Sequence, residues 1–161
     1  MKNKIIWPEG KDFAFTVFDD TDFATLENVR SVYSFLQNNG FKTTKSAWPI
    51  KGHHKPLIGG STCEDIDYLK WLLALQKTGF EIGFHNATYH TSLREETIKG
   101  IEKFKELFGH YPDSMANHAD CLESIYWGNY RLTGIQEYLY NLLLRNRHKN
   151  LFRGHLKEDK Y

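Results

Sequence analysis

Cysteine is almost missing from this chain: Cys63 and Cys121 are the two among 161 residues, 58 positions apart. That excludes a disulfide framework and a paired-cysteine metal motif, and leaves core or surface thiols as the reading. Charge of one sign is lacking too, with 21 Lys and Arg against 20 Asp and Glu and no long run of either. Nucleic-acid and anionic-membrane binders need a concentrated basic face, so neither partner is expected. No apolar run approaches the roughly 20 residues that span a bilayer. The opening MKNKIIWPEG holds two lysines but no apolar stretch of signal-peptide length, so a cytoplasmic location is expected. Nor does any low-complexity segment or linker divide the chain, and residues 1–161 fit one domain able to bury a core. What the chain does have is eight histidines and 15% aromatic residues. Imidazoles serve as ligands or proton carriers near neutral pH, and aromatic rings stack on flat ligands or sugars.

The apolar run FAFTVF at 13–18 predicts a strand buried on both faces. From Thr25 to Asn39, Leu26, Val29, Val32, Tyr33 and Leu36 share one helical stripe, closed by Gly40. Phe41 to Ser46 predicts a second strand, and Ala47 to Gly60, with Pro49, Gly52 and Pro56, a long loop. Ser61 and Glu64 have capping-box spacing ahead of a helix carrying Ile66, Leu69, Leu72 and Leu73. FEIGFH (80–85) resumes as a strand. Ser92 and Glu95 then repeat the box before Ile98, Ile101, Phe104 and Leu107, with Gly109 as the stop. An extended piece is expected at 113–116 and a further helix from Tyr138 to Arg145. Strands alternating with helices imply an α/β fold with parallel pairing. Four such units are too few to close the usual eight-fold barrel, so an incomplete (β/α) barrel is expected. A barrel that stops early leaves strand edges and apolar helix faces open, which makes self-association expected.

The reactive side chains gather at the strand ends: Asp19 and Asp20 after the first, His85 after the third, Asn117 and His118 after the fourth. In parallel α/β folds these ends share one face, where ligands bind. A carboxylate and two imidazoles suit zinc or a similar divalent ion, and a second carboxylate suits a base. Two readings stay open for DDTD (19–22): a ligand beside a base, or a set of aspartates, Asp22 included, that cap the following helix. For His85 and His90 the alternatives are convergence from a strand-end loop, or one buried and one exposed imidazole. For His118 they are a catalytic role at the pocket, as ligand or proton donor, or a helix cap. His53 and His54 read as a solvated loop pair, Trp48 as a pocket wall or an aromatic packed under the loop, and His110 and His148 as surface residues.

At these residues the chain resembles the polysaccharide deacetylase (NodB-homology) superfamily. TVFDDTD is similar to its first motif, Thr-Phe-Asp-Asp-Gly. GFEIGFHNATYH is similar to its second, a Glu-Ile-Gly lead-in followed by His-Ser/Thr-x-x-His. The resemblance covers most of residues 11–118. It implies a distorted (β/α) barrel, Asp19 as catalytic base, and a zinc site of Asp20, His85 and His90. Three departures mark a divergent member. Thr21 stands where glycine is usual, the histidine pair has one extra residue between its members, and SMANHAD (114–120) replaces the Arg-x-Pro-Tyr motif. His155, in LFRGHL, is placed to follow a strand, but the chain stops six residues later, as a truncated form would. The expected activity is therefore metal-dependent hydrolysis of an amide C–N bond, most simply removal of an N-acetyl group from a carbohydrate. The alternatives are a small non-sugar amide as substrate, and a catalytically silent protein that binds metal or carbohydrate.

Overall fold

A computed structural model describes residues 6–119, 121–125, 132–144 and 150–152. Three short strands form a parallel sheet in the order β1 (Phe18–Asp19), β2 (Thr44–Ala47), β3 (Glu81–Phe84). Phe18 lies opposite Thr44, and Thr44–Ala47 run against Glu81–Phe84 without a slip. Beyond β3, Met115 forms a parallel bridge with Phe84: the Phe84 N–H donates to Ser114 and the Ala116 N–H to the Phe84 carbonyl. The extended piece expected at 113–116 thus continues the sheet by one bridge. This is a mixed α/β architecture, with an open sheet rather than a closed barrel among the described residues.

The helices follow their apolar stripes. α1 (Leu26–Asn38) starts at Thr25, whose hydroxyl accepts the Asn28 N–H while the Asn28 side chain accepts the Thr25 N–H. Its stripe buries Tyr33 fully and Leu26, Val29 and Leu36 in part, while Val32 stays exposed. α2 (Ile66–Lys77) buries Tyr68, Leu72 and Leu75. The Trp71 ring meets Tyr33 edge-on at 5.3 Å and so ties α2 to α1. α3 (Arg94–Phe108) buries Ile101, Phe104 and Phe108 and ends at Gly109 in the left-handed region. Gly100 of α3 packs against Ala87, where any Cβ would collide, so the helix lies close on the segment that follows β3. α4 (Gly134–Leu144) begins four residues before the expected Tyr138 and presents Ile135, Tyr138 and Leu142 outward.

Two expectations need correction. The run at 13–18 is not a doubly buried strand. Only Phe18 enters the ladder, and Phe13 and Phe15 are exposed. β1 is the edge strand, and an apolar run records an affinity for a core without recording whether a neighbouring layer exists to cover it. Neither capping pair forms at its expected residues. α2 is preceded by Asp65, whose carboxylate accepts the Thr62 N–H, and at α3 Glu96 accepts the Leu93 N–H. Arg145, His148 and the segment with His155 lie outside the described residues.

Candidate metal centre

Every group in the centre starts from the C-terminal end of the sheet. His85 directly follows β3, its N–H donating to the Ala47 carbonyl at 3.2 Å. Its Nδ1 lies 3.1 Å from the Ala116 carbonyl. A carbonyl only accepts, so Nδ1 carries the proton and Nε2 keeps a lone pair. Burial pushes the His85 imidazole below its ordinary pKa, with the Asp20 carboxylate the main opposing influence. The ring is therefore held neutral, the form that binds a metal.

His118 arrives from the extended piece beside β3. Its N–H donates to Asn86 Oδ1 at 3.1 Å, and Asn86 in turn donates to Glu123 Oε1 at 2.7 Å, all three residues being buried. Asn86 has φ +58°, a conformation asparagine tolerates better than most residues. This turn aims its side chain back to hold His118. Trp48, fully buried, packs against both imidazoles at ring distances of 5.7 Å for His85 and 5.3 Å for His118. Of the two roles weighed for Trp48, the packed aromatic is the one observed.

The third group is Asp22. After β1 the chain curls: the Ala24 N–H donates to the Thr21 carbonyl, Phe23 takes φ +56°, and buried Thr21 lies 3.4 Å from the Tyr68 hydroxyl. The curl returns Asp22 toward the imidazoles, with Oδ1 3.0 Å from His118 Nε2 and 3.5 Å from His85 Nε2. These approaches lack hydrogen-bond direction, and all three atoms are buried without a hydrogen-bond partner. Leaving three polar atoms unsatisfied costs about 1–3 kcal/mol each. A shared cation removes that cost, and these three atoms lie within 4.8 Å of one another. The donor set, one carboxylate and two imidazoles, suits zinc and keeps a coordination position open. Asp20 stands next to it, its Oδ1 3.2 Å from His85 Nε2 and accepting the Asp22 N–H at 3.1 Å. Its side chain is 67% exposed.

The expected trio of Asp20, His85 and His90 does not converge on one point. His90 Nε2 accepts the backbone N–H groups of His53 and His54 at 3.1 and 3.2 Å, while Nδ1 faces the Thr91 carbonyl at 2.9 Å. Both nitrogens are taken, so His90 is a clamp for the 51–58 loop. Although His53, His90 and Glu96 also cluster, the His53–Glu96 contact and the two N–H donors already occupy the atoms a metal would need. Asp19 is likewise turned away. Its Oδ2 lies 2.8 Å from Lys45 Nζ and accepts the Tyr33 hydroxyl at 2.7 Å, on the side of α1. Lys45 is fully buried, and burial lowers its pKa against the attraction of Asp19. Asp22, the carboxylate of this candidate set, left one trace in the sequence, a third carboxylate two positions after Asp20.

Beside His118 opens a cavity of about 260 Å³, lined by Leu57, Tyr89 and Cys121, with the exposed His54 and Lys55 at its edge. No family model, curated protein or solved structure matches this chain. Among the described residues no helix is long and apolar enough to cross a membrane.

Proposed function

We propose that this chain is a metal-dependent hydrolase of an amide C–N bond, a divergent relative of the polysaccharide deacetylases on an open (β/α) half-barrel. The single observation that carries the reading is the set of three buried, unpartnered ligand atoms on Asp22, His85 and His118. Zinc is the first choice for two imidazoles and one carboxylate. Such an ion polarises a carbonyl and makes water a stronger acid.

The chain's own residues do the rest. Asp20 is the proton acceptor: it borders the ligand set, is open to solvent, and is oriented by the Asp22 N–H. His85 and His118 point Nε2 inward, and buried Trp48 backs both rings. The adjoining cavity, at about 260 Å³, is at the small end of ligand sites, roughly 300–1,000 Å³. It fits a compact N-acyl compound better than a polymer chain, which favours a small amide over a polysaccharide.

The test is metal titration of the purified chain followed by amine release from a panel of small N-acyl compounds and N-acetyl sugars. Stoichiometric binding that Asp22→Asn removes, together with turnover, supports the reading. Absence of metal binding in the folded wild type sinks it.

A further inference from the structure

The two imidazoles of the centre are oriented by different acceptors. His85 hands its Nδ1 proton to a backbone carbonyl, the Ala116 oxygen at 3.1 Å. For His118 the group facing Nδ1 is the Cys121 sulfur, at 3.4 Å. A turn brings the two together, with the Cys121 N–H reaching back to the His118 carbonyl at 3.4 Å. An imidazole presents a lone pair from Nε2 only while Nδ1 keeps the proton, and ligating histidines ordinarily secure that proton with an outer partner. His118 Nε2 is buried and unpartnered, aimed at Asp22.

We infer that Cys121 is the positioning residue of His118: its sulfur accepts the Nδ1 proton and so turns Nε2 toward the metal centre. The inference rests on the metal reading for its consequence, but the tautomer it sets belongs to the metal-free protein. Cys121 also lines the cavity beside His118, so an electrophile entering that cavity meets the sulfur that orients the ligand. Cys63 makes the contrast. It is buried, and burial pushes its thiol up to about 12, so it stays protonated and shielded near neutral pH. Alkylation by iodoacetamide is therefore expected at Cys121: the S–C bond forms as the C–I bond breaks, iodide leaves, and the thiol proton passes to buffer. The added group crowds Nδ1 of His118.

The experiment reads both links. In the metal-free protein, two-bond ¹H–¹⁵N spectra of the histidine rings report the tautomer. His118 should be protonated at Nδ1 in the wild type and in Cys121→Ser, and should lose that preference in Cys121→Ala. Zinc affinity, measured against a chromogenic chelator, should fall about 10–100-fold in Cys121→Ala and after alkylation. Cys121→Ser should stay within about threefold of wild type, since a hydroxyl accepts the same proton. An unchanged His118 tautomer in Cys121→Ala overturns the inference whatever the metal does, and so does wild-type zinc affinity in that variant. Should the wild type bind no zinc, the metal reading fails while the tautomer still decides the role of Cys121. If Cys121→Ala does not fold, Cys121→Ser against alkylated wild type makes the same comparison.

Discussion

Asp19 and Asp20 are neighbours that reach different partners: Asp19 Oδ2 lies 2.8 Å from Lys45 Nζ, and Asp20 Oδ1 lies 3.2 Å from His85 Nε2. Asp19 closes β1 and Asp20 lies just beyond it, where extended backbone turns successive side chains apart. The carboxylate paired with Lys45 and the one beside the candidate metal centre can therefore be tested separately.

Removing the charge of Asp19 strands a buried cation. Lys45 is fully buried and Asp19 is the strongest influence holding it charged. Asp19→Asn should therefore cost about 3–5 kcal/mol in urea unfolding near neutral pH, with zinc affinity little changed. Its pH dependence has a definite sign. The folded-state pKa of Lys45 is already lowered, and loss of Asp19 lowers it further. Above that value the folded state holds fewer protons than the unfolded state, whose lysine titrates near 10.5, so stability rises with pH through that window. The deficit of Asp19→Asn should shrink between neutral pH and about pH 10, and Lys45→Met combined with it should restore most of the loss. A deficit that stays constant with pH would locate the damage elsewhere.

The ligand set itself predicts a sharp division among the histidines. His118→Ala and Asp22→Asn should each weaken zinc binding by more than about 100-fold, since each removes a donor inside the outer shell whose loss alone costs 10–100-fold. His90→Ala should leave zinc affinity near wild type, because its Nε2 holds the loop and its Nδ1 faces the Thr91 carbonyl. Chelator competition on the three variants is enough. Equal losses in all three would restore His90 to the ligand set.

The clamp has its own signature. His90 holds two backbone N–H groups, each bond contributing about 1 kcal/mol, and Gly52, at φ +80°, lies where a Cβ would strike the His90 ring. His90→Ala should speed amide exchange at His53 and His54 by about tenfold or more. Gly52→Ala should do the same through a different atom. Exchange rates at α2 should not move in either variant, which separates loosening of the loop from general destabilisation.

Much of this arrangement is readable in the residues, because helices α1, α2 and α3 carry stripes at helical spacing that bury Tyr33, Leu72, Ile101 and Phe104, although Val32 and Ile66 of those stripes stay exposed. Strand ends could be located for the same reason, and His85 and His118 could be named from position alone. The rest depends on backbone paths that periodicity does not encode. Asp22 reads as a helix cap because nothing in Thr21 or Phe23 announces the curl, which needs a positive φ at a phenylalanine. His90 has near-motif spacing from His85, but the 51–58 loop, 36 residues or more away, claims its Nε2 first. Nor does the run at 13–17 reveal that β1 is an edge, since that depends on what pairs with it.

The base assignment is the step on which turnover depends. Asp20 borders the ligand set through His85, and its side chain is 67% exposed, so it can take a proton from one side and lose it to solvent from the other. Its Oδ1 also accepts the Asp22 N–H, so the same bond that orients the proposed base stiffens the curl that places Asp22. Asn keeps an amide oxygen for that N–H but has no basic site. Asp20→Asn should thus keep the curl and the zinc affinity within about threefold while lowering kcat by about 10²–10⁴-fold on any N-acyl compound the chain turns over. Asp20→Ala, which removes the acceptor as well, should lower both. The pair of variants distinguishes base from ligand: if Asp20→Asn lost zinc as completely as Asp22→Asn, Asp20 would belong inside the metal shell. If it kept full activity, the proton would leave by another group, and the exposed His54 and Lys55 at the cavity edge would be the next to replace.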